Sequence, residues 1–338
     1  MNFFKAFHNV CSPDKTILAT PEFLANTLHT LSLLEIPILI FGGYCIWYKT
    51  PEQMKAVKWL MVNVHFWTVS SDFVMNVLGI PYIMLPAMAG WGLGAVYAPA
   101  FMIYCFITFQ AGLAASIISV YENRLRSIYG GHVWWDHYRK PAITFMYLTL
   151  PFIFLPPYFN VPEQEAARQK VHEMLPCLNP YTFDDRPMYV LGLEVLIPTL
   201  CISIWSLIFG PIAGVFLIMT LYRILAKTKV SMSLKTHNMQ RTFAIALSLQ
   251  SLFLFIVLVG PVIIALLTIG LWYHNQTLNN LIFVTMSCHG VGSTMVMIFV
   301  HKPYRNFTFS KLGILKEKKL SNVQGTSTKV FTTKVAAV

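Results

Sequence analysis

The sequence contains none of the short motifs that mark common enzymes or metal sites. GxSxG, HExxH and Walker-type patterns are all missing, and these patterns hold a nucleophile, a zinc ion or a phosphate group. The six cysteines, at positions 11, 45, 105, 177, 201 and 288, lack the CxxC-type spacing of a zinc or redox site. We therefore predict that the protein is not an enzyme and uses no cofactor or metal ion.

Four ionisable residues stand out because they lie within long apolar runs: Glu35, Asp72, Glu194 and His289. At about 1.5 Å of rise per residue, Glu35, Asp72 and His289 would lie roughly 17 to 20 Å from the same end of their helices. One interpretation is a set of hydrogen bonds between helices, each worth about 0.6 kcal/mol. The other is a functional site: a ligand anchor, a sodium site or a proton-sensitive switch. Both interpretations stay open here.

The apolar runs that carry these residues are too long for a soluble protein. Hydrophobic residues make up 56% of the chain and charged residues 12%, against about 25% charged in an average globular domain. The third and sixth runs contain no charge over Ala98–Val120 and Phe243–Leu271, and about 20 apolar residues span a bilayer. We predict an all-α membrane protein, a seven-transmembrane helix bundle with helices at about 24–48, 57–80, 97–120, 141–158, 188–222, 243–271 and 281–300.

The positions of lysine and arginine predict the orientation of this bundle, because these residues accumulate on the cytoplasmic side. Of the 25 Lys and Arg residues, 20 fall in segments that would then lie inside: 49–58, 121–140, 223–242 and 301–338. The N-terminus is therefore predicted outside and the C-terminus inside. This distribution explains the net charge of +11 without a nucleic-acid partner.

The orientation also divides the chain into three parts. Residues 1–23 form an extracellular segment, 24–300 the seven-helix domain, and 301–338 a cytoplasmic tail that is mostly disordered because it is polar and lacks apolar periodicity. The start of the tail, after Pro303, has the pattern of a short amphipathic helix on the inner leaflet.

Two groups of charged residues on the predicted inner face suit contact with a partner. At the end of helix three, Glu122 could pair with Arg124 or leave Arg124 to a partner; simple snorkelling of Arg124 beside Tyr121 is the structural alternative. The third inner loop contains five basic residues and no acid. It suits anionic membrane lipid or an acidic partner such as a G-protein, and its basic residues include Arg223, Lys227, Lys229 and Arg241.

Two cysteines and one asparagine are expected to be modified outside the cell. Cys45, Cys105, Cys201 and Cys288 fall in predicted spans, which leaves Cys11 and Cys177 on the oxidising side. We predict a Cys11–Cys177 disulfide that ties the N-terminal segment to the second outer loop. Asn275 begins an N-x-T sequon in the third outer loop, a candidate glycosylation site.

The order of short motifs along the chain resembles the nematode serpentine chemoreceptors of class H, part of the Str superfamily. The resemblance runs from about position 11 to 305. It is most specific near the end of the chain, and its elements include Thr20-Pro-Glu-Phe-Leu24, Glu35-Ile-Pro-Ile38, His65-Phe-Trp67, Tyr121-Glu-Asn-Arg124, Leu175-Pro-Cys-Leu178, Asn275-Gln-Thr-Leu-Asn-Asn280, His289-Gly290 and His301-Lys-Pro-Tyr-Arg305.

The resemblance implies a chemosensory G-protein-coupled receptor in the plasma membrane, in the cilium of a sensory neuron. Its partners would be a small-molecule ligand, a heterotrimeric G-protein and membrane lipid. Arg124 matches by position the arginine of the Asp-Arg-Tyr element in rhodopsin-like receptors. Departures from that pattern are the missing Asn-Pro-x-x-Tyr element of helix seven and the missing cysteine at the top of helix three.

Two function classes follow. In the first, a ligand binds in the outer half of the bundle and shifts a two-state helix arrangement that exposes an inner cleft to the G-protein. In the second, the chain is a transporter or ligand-gated channel whose intramembrane carboxylates line a path. For the receptor, the candidate pocket residues are His29, Glu35, Asp72, Trp91, Tyr97, Glu194 and His289.

Overall fold

A computed structural model describes residues 14–129, 133–175, 186–193 and 248–312, together with scattered positions between 197 and 245. Six residues singled out in the sequence therefore lie outside the described residues: Cys11, Cys177, Glu194, Arg223, Lys227 and Lys229.

The described chain is mainly helical. Ten α-helices are labelled here in chain order: α1 (Pro21–Tyr48), α2 (Lys55–Phe73), α3 (Pro99–Tyr129), α4 (Val133–Thr149), α5 (Leu155–Phe159), α6 (Gln164–Met174), α7 (Gly260–Gly270), α8 (Gln276–Ser287), α9 (His289–Val300) and α10 (Lys302–Lys311). Short 3₁₀ helices lie at Ile17–Ala19, Glu52–Met54 and Leu150–Phe152, and π-helices extend α2 over Val74–Gly79 and precede α7 over Phe255–Val259. The described positions between 197 and 222 are helical as well.

Five helices in the described residues are long and apolar enough to cross a membrane: Pro21–Tyr48, Pro99–Arg126, Trp135–Phe159, Ser248–Gly270 and Gln276–Val300. They match five of the seven runs predicted from the sequence. The run of α2 is interrupted by Asn63, His65 and Asp72, which lower its mean hydropathy. These polar side chains contact other helices: Asn63 Nδ2 donates to the Tyr147 hydroxyl of α4, and His65 Nε2 lies 3.0 Å from the Leu39 carbonyl oxygen of α1.

Helix starts follow the local sequence. Thr20 caps α1, because its Oγ1 accepts a hydrogen bond from the amide of Phe23 at 3.2 Å, and Pro21 occupies the first turn. Asn275 caps α8 in the same way, accepting from the amide of Leu278 at 2.8 Å. Asn275 Oδ1 is therefore already engaged in the fold, and its glycosylation stays a prediction.

Helices α1, α2 and α8–α9 pack against one another, as expected for helices one, two and seven of the bundle. Glycines permit the close approach. A Cβ atom at Gly42 of α1 would overlap the side chain of Thr294 on α9, and one at Gly112 of α3 would overlap the Trp67 indole of α2. Small residues at such crossings are typical of membrane helices.

A small antiparallel sheet lies at the end of the bundle where α1 and α8 begin. Its strand order is β1 (Pro81–Ile83), β2 (Met88–Gly92) and β3 (Tyr189–Gly192). The sequence prediction that helix five begins at 188 is therefore wrong over residues 189–192. A short apolar run such as Tyr-Val-Leu-Gly does not distinguish a strand from a buried helix by periodicity.

The sheet forms a lid with α6 and the N-terminal strap, which we define as Asp14–Thr20. Apolar side chains from the sheet, α6, α1 and α8 form one buried cluster under this lid, including Leu28, Tyr82, Val171, Val190 and Phe283. Asn280 of α8 fastens the strap, donating to the carbonyl oxygens of Leu18 (2.8 Å) and Thr20 (3.3 Å). We call this end of the bundle the lid end.

Helix α10 lies at the opposite end, which we call the tail end. The amphipathic helix predicted after Pro303 is confirmed as a helix over Lys302–Lys311. Tyr304 anchors it, since its ring is fully buried and its hydroxyl lies 2.8 Å from Thr50 Oγ1. Phe307 stacks on Phe41 of α1 with the ring centroids 6.2 Å apart.

Candidate functional site

The ionisable residues of helices one, two and seven converge in the interior of the bundle. His289 Nδ1 lies 2.9 Å from Asp72 Oδ1 and 2.8 Å from the carbonyl oxygen of Met286. The hydrogen bond from Nδ1 goes to the Met286 carbonyl oxygen, while the approach to Asp72 Oδ1 is a close polar contact without hydrogen-bond geometry. Asp72 and His289 are 3% and 0% exposed, so this pair is enclosed by protein. The Asp72–His289 contact considered from the sequence is present.

Glu35 of α1 joins the same region through Asn76, which follows Asp72 by one helical turn. Asn76 Nδ2 donates to Glu35 Oε2 at 2.9 Å, and both side chains are buried. The hydroxyl of Ser32 reaches the Asn76 carbonyl oxygen at 3.3 Å and connects α1 to the end of α2. We refer to Glu35, Asp72, Asn76 and His289 as the acid–histidine cluster.

Gly290 provides the space that the Asp72 carboxylate occupies. A Cβ atom at this position would overlap Asp72 Oδ2 and would lie 3.1 Å from Thr68 Cγ2. Helix seven breaks at Cys288, between α8 and α9, immediately before His289 and Gly290. Both residues of the His289-Gly290 motif therefore serve the same carboxylate. His289 contacts Asp72 Oδ1, and Gly290 leaves room for Asp72 Oδ2.

Several buried atoms of the cluster have no hydrogen-bond partner among the described residues. They are Glu35 Oε1, both carboxylate oxygens of Asp72, Asn76 Oδ1 and His289 Nε2, with the hydroxyls of Ser71 and Ser287 beside them in the chain. An unsatisfied buried polar group costs about 1 to 3 kcal/mol. Within the described residues, no three His, Cys, Asp or Glu side chains are grouped as metal ligands.

The remaining predicted pocket residues lie apart from this cluster. Trp91 and Tyr97 belong to the lid end, where Trp91 Nε1 donates to the Arg186 carbonyl at 3.0 Å and the Tyr97 hydroxyl donates to the Pro187 carbonyl. His29 lies on the exposed face of α1, beside buried Leu28. The structure thus brings together Glu35, Asp72 and His289, and it places His29, Trp91 and Tyr97 elsewhere.

A second charged site lies at the tail end between α3 and α4. Both carboxylate oxygens of Glu122 accept from Arg139 Nε at 2.8 Å, and Oε1 also accepts from Trp135 Nε1 at 2.8 Å. From the sequence, Glu122 has Arg124 as one possible partner. That pairing is disfavoured because residues two apart point to different sides of a helix, and Glu122 is held by α4.

Arg124 lies near the start of α10. It is 8% exposed and its positive charge acts on His301, the residue between α9 and α10. The His301 ring also contacts Tyr304 edge-on, with the centroids 5.6 Å apart. Arg241, the described residue of the third inner loop, is exposed.

The protonation of His301 is expected to make stability depend on pH. Burial and the positive charge of Arg124 lower the pKa of His301 from 6.5 to about 4. Between these two pKa values the unfolded chain binds a proton that the folded chain does not. The free energy of unfolding should therefore fall as the pH is lowered from about 6.5 to about 4. Melting curves of wild type and His301→Gln in one detergent check this. The fall should be smaller in the variant, and parallel pH profiles would contradict it.

A small cavity lies between α2, α3, α9 and the helix that contains Ser248–Gly270. Thr68 and Ser293 line its side nearest the acid–histidine cluster, and His301 lines its tail end. Two hydrogen bonds between helices lie at the cavity wall. Gln250 Nε2 donates to Ser293 Oγ at 2.8 Å, and the Tyr121 hydroxyl donates to Ser251 Oγ at 3.0 Å. These bonds join the helix that contains Ser248–Gly270 to α9 and α3.

The sequence reasoning missed Asn76, Gly290, Arg139 and Trp135 as parts of these sites. Asn76 follows Asp72 by four residues, and this spacing places both on one helix face, so the pattern contained that signal. Arg139 and Trp135 lie on a different helix from Glu122, and their role depends on how α3 and α4 pack.

Comparison with known proteins identifies the family. A family model for the serpentine type 7TM GPCR chemoreceptor Srh matches residues 19–314. The chain belongs to this family. It is also 25% identical to serpentine receptor class H-72 of Caenorhabditis elegans, over 94% of this chain and 93% of that protein. The resemblance stated from the motifs is confirmed, and the chain is a seven-helix chemoreceptor-type membrane protein.

Family membership places the two charged sites in a receptor bundle. The acid–histidine cluster and the Glu122–Arg139 pair lie within the matched residues 19–314. The lid does so as well, apart from the strap residues before 19. The sites are therefore part of the receptor domain itself.

Proposed function

We propose that this chain detects a small-molecule cue and signals through a heterotrimeric G-protein. The observation that carries the proposal is the buried acid–histidine cluster at the junction of α1, α2 and α8–α9. Ionisable groups inside a membrane protein are costly and mark functional sites by default. In a family of chemoreceptors, a costly polar junction between helices is suited to a switch between two helix arrangements.

The contacts around the cavity suggest how such a switch would reach the tail end. Movement of α9 relative to α2 would change the Asp72–His289 contact and the Gln250–Ser293 hydrogen bond together, because Ser293 lies one turn after His289. The same movement would carry His301 past Arg124 at the tail end. Packed helices favour two discrete arrangements over continuous deformation.

The distribution of charge supports one orientation of the receptor. We infer that the lid end faces outward and the tail end faces the cytoplasm, since Lys and Arg are concentrated in the tail-end segments. Residues 1–23 would then be extracellular, 24–300 the receptor domain and 301–338 the cytoplasmic tail. The plasma membrane of a sensory cilium is the proposed location.

The outer and inner partners can be assigned on this orientation. The ligand would bind at the lid end, with Trp91, Tyr97 and His29 as candidates in addition to the cluster. Glu194, which lies outside the described residues, stays a candidate from the sequence. A Cys11–Cys177 disulfide and glycosylation at Asn275 are proposed for the outer face. On the inner face, the G-protein would contact the region of Glu122 and Arg124 and the basic loop that contains Arg223, Lys227, Lys229 and Arg241.

Cells that express the receptor with a promiscuous Gα subunit test the proposal. A panel of volatile and water-soluble organic compounds is screened by calcium or cAMP signals, and any active compound is applied to Asp72→Asn and Glu35→Gln at matched surface levels. We expect a response at least tenfold weaker in the Asp72→Asn receptor. Glu52→Gln serves as the control, since Glu52 is exposed and pairs with Lys55 outside the cluster. Uptake or current without a G-protein would contradict the proposal.

A further inference from the structure

An exposed patch of aromatic and basic side chains lies at the tail end, on the outer surface of α1 and α2. We define the aromatic–lysine patch as Tyr44, Trp47, Lys49, Lys58 and Trp59. Trp47 and Trp59 are 45% and 66% exposed, and their rings meet edge-on with the centroids 5.4 Å apart. Exposed indole rings are typical of the membrane–water interface, so this face lies at headgroup depth.

The two lysines are held over aromatic rings of the patch and of α10. Lys58 Nζ lies 4.8 Å from the Trp47 ring centroid and donates to the Trp47 carbonyl oxygen at 2.7 Å. Lys49 Nζ lies 4.4 Å from the Phe307 centroid and 5.8 Å from that of Tyr44. Each ammonium group therefore has a fixed position and keeps N–H donors for another acceptor, because an ammonium carries three.

Neither lysine has a carboxylate partner within the described part of the chain. Their neighbour Lys55 differs in this respect, since it pairs with Glu52 at 3.2 Å. Lys58 lies over an exposed indole, and Lys49 lies over the Phe307 and Tyr44 rings. At the interface of a bilayer, two such positive charges beside aromatic surface call for a negatively charged group that also offers apolar surface. A phospholipid supplies both in one molecule.

We propose that the aromatic–lysine patch binds one anionic glycerophospholipid, with its headgroup held by Lys49 and Lys58 and its glycerol and upper chains against Trp47 and Trp59. The inference rests on the proposed orientation, which places the patch in the cytoplasmic leaflet, where anionic lipids are concentrated. Bound lipid would tie the end of α1 to the start of α2 and, through Lys49 and Phe307, to α10.

Lipid retention by the purified full-length protein tests this inference without any receptor ligand. The protein is prepared in detergent with added phosphatidylserine or phosphatidylcholine, and bound lipid is measured by native mass spectrometry. Wild type should retain phosphatidylserine in preference to phosphatidylcholine. Lys49→Gln and Lys58→Gln should each weaken that retention by about fivefold, whereas Lys55→Gln should leave it unchanged.

The salt dependence of the wild-type protein gives a test that does not depend on folding of the variants. At 1 M salt the screening length is about 3 Å, so the preference for phosphatidylserine should disappear. The proposal would be overturned if the protein retained the two lipids equally at low salt, or if Lys55→Gln weakened retention as much as Lys49→Gln and Lys58→Gln do. Full competition by soluble glycerophosphoserine would also overturn it. Failure here would leave signalling through the acid–histidine cluster unaffected, so the two proposals are tested separately.

Discussion

Replacement of Gly290 by alanine is expected to destabilise the receptor by about 3 kcal/mol, the upper end of the usual cost of overpacking. The new methyl group would overlap Asp72 Oδ2. That carboxylate is buried and contacts His289 at 2.9 Å, so it has little room to move without losing its partner. The melting temperature of the purified protein and its surface level in cells should both fall.

Gly270→Ala is the matched control for this prediction. Gly270 lies at the end of α7 and a Cβ atom there meets nothing within 4 Å. Removal of the overlapped carboxylate in the double variant Asp72→Ala/Gly290→Ala should recover part of the lost stability, because neighbouring substitutions are not additive. Equal melting temperatures of Gly290→Ala and Gly270→Ala would contradict the close packing of the Asp72 carboxylate against Gly290.

Loss of Arg139 is expected to be at least as damaging, at about 3 to 5 kcal/mol. Glu122 is 3% exposed, and both of its oxygens accept from Arg139 Nε. Arg139→Gln would leave that carboxylate buried with Trp135 as its remaining described partner. Thermal unfolding of the purified receptor measures the effect, which should appear as a lower melting temperature.

Arg126→Gln provides the comparison, since it breaks an ion pair between the same two helices. Arg126 and Asp136 lie 2.6 Å apart, but their side chains are 42% and 37% exposed. An exposed pair contributes about 0 to 1 kcal/mol, so this variant should melt close to wild type. Equal losses in Arg126→Gln and Arg139→Gln would show that burial of Glu122 does not determine the stability of the α3–α4 contact.

The membrane bundle was predictable because its signal is distributed over the whole chain. Two charge-free runs of bilayer length and the uneven distribution of Lys and Arg each depend on many residues, so no single misjudged position changes the result. The lid was not predictable in the same way. The strand Tyr189–Gly192 is four residues long, and its partners lie about 100 positions earlier in the chain.

Some residues of the candidate site were predictable from the sequence and others were not. Asp72 and His289 were found because an ionisable residue in an apolar run is conspicuous, and helices one, two and seven are neighbours in a seven-helix bundle. Gly290 could not be interpreted from the sequence, since its importance depends on where the Asp72 carboxylate points. Arg139 likewise depends on the packing of α4 against α3, which sets the partner of Glu122 independently of the nearby Arg124.

The most direct test of the central claim is ligand-evoked signalling with and without a G-protein. Cells that lack endogenous Gα subunits, and the same cells with one Gα restored, are exposed to the active compound found in the screen. Arg124→Ala is included at matched surface level, with the exposed Arg126→Gln as its control. We expect a response only where Gα is restored, lost in Arg124→Ala and kept in Arg126→Gln. A response of equal size without Gα would contradict the receptor function proposed for the acid–histidine cluster.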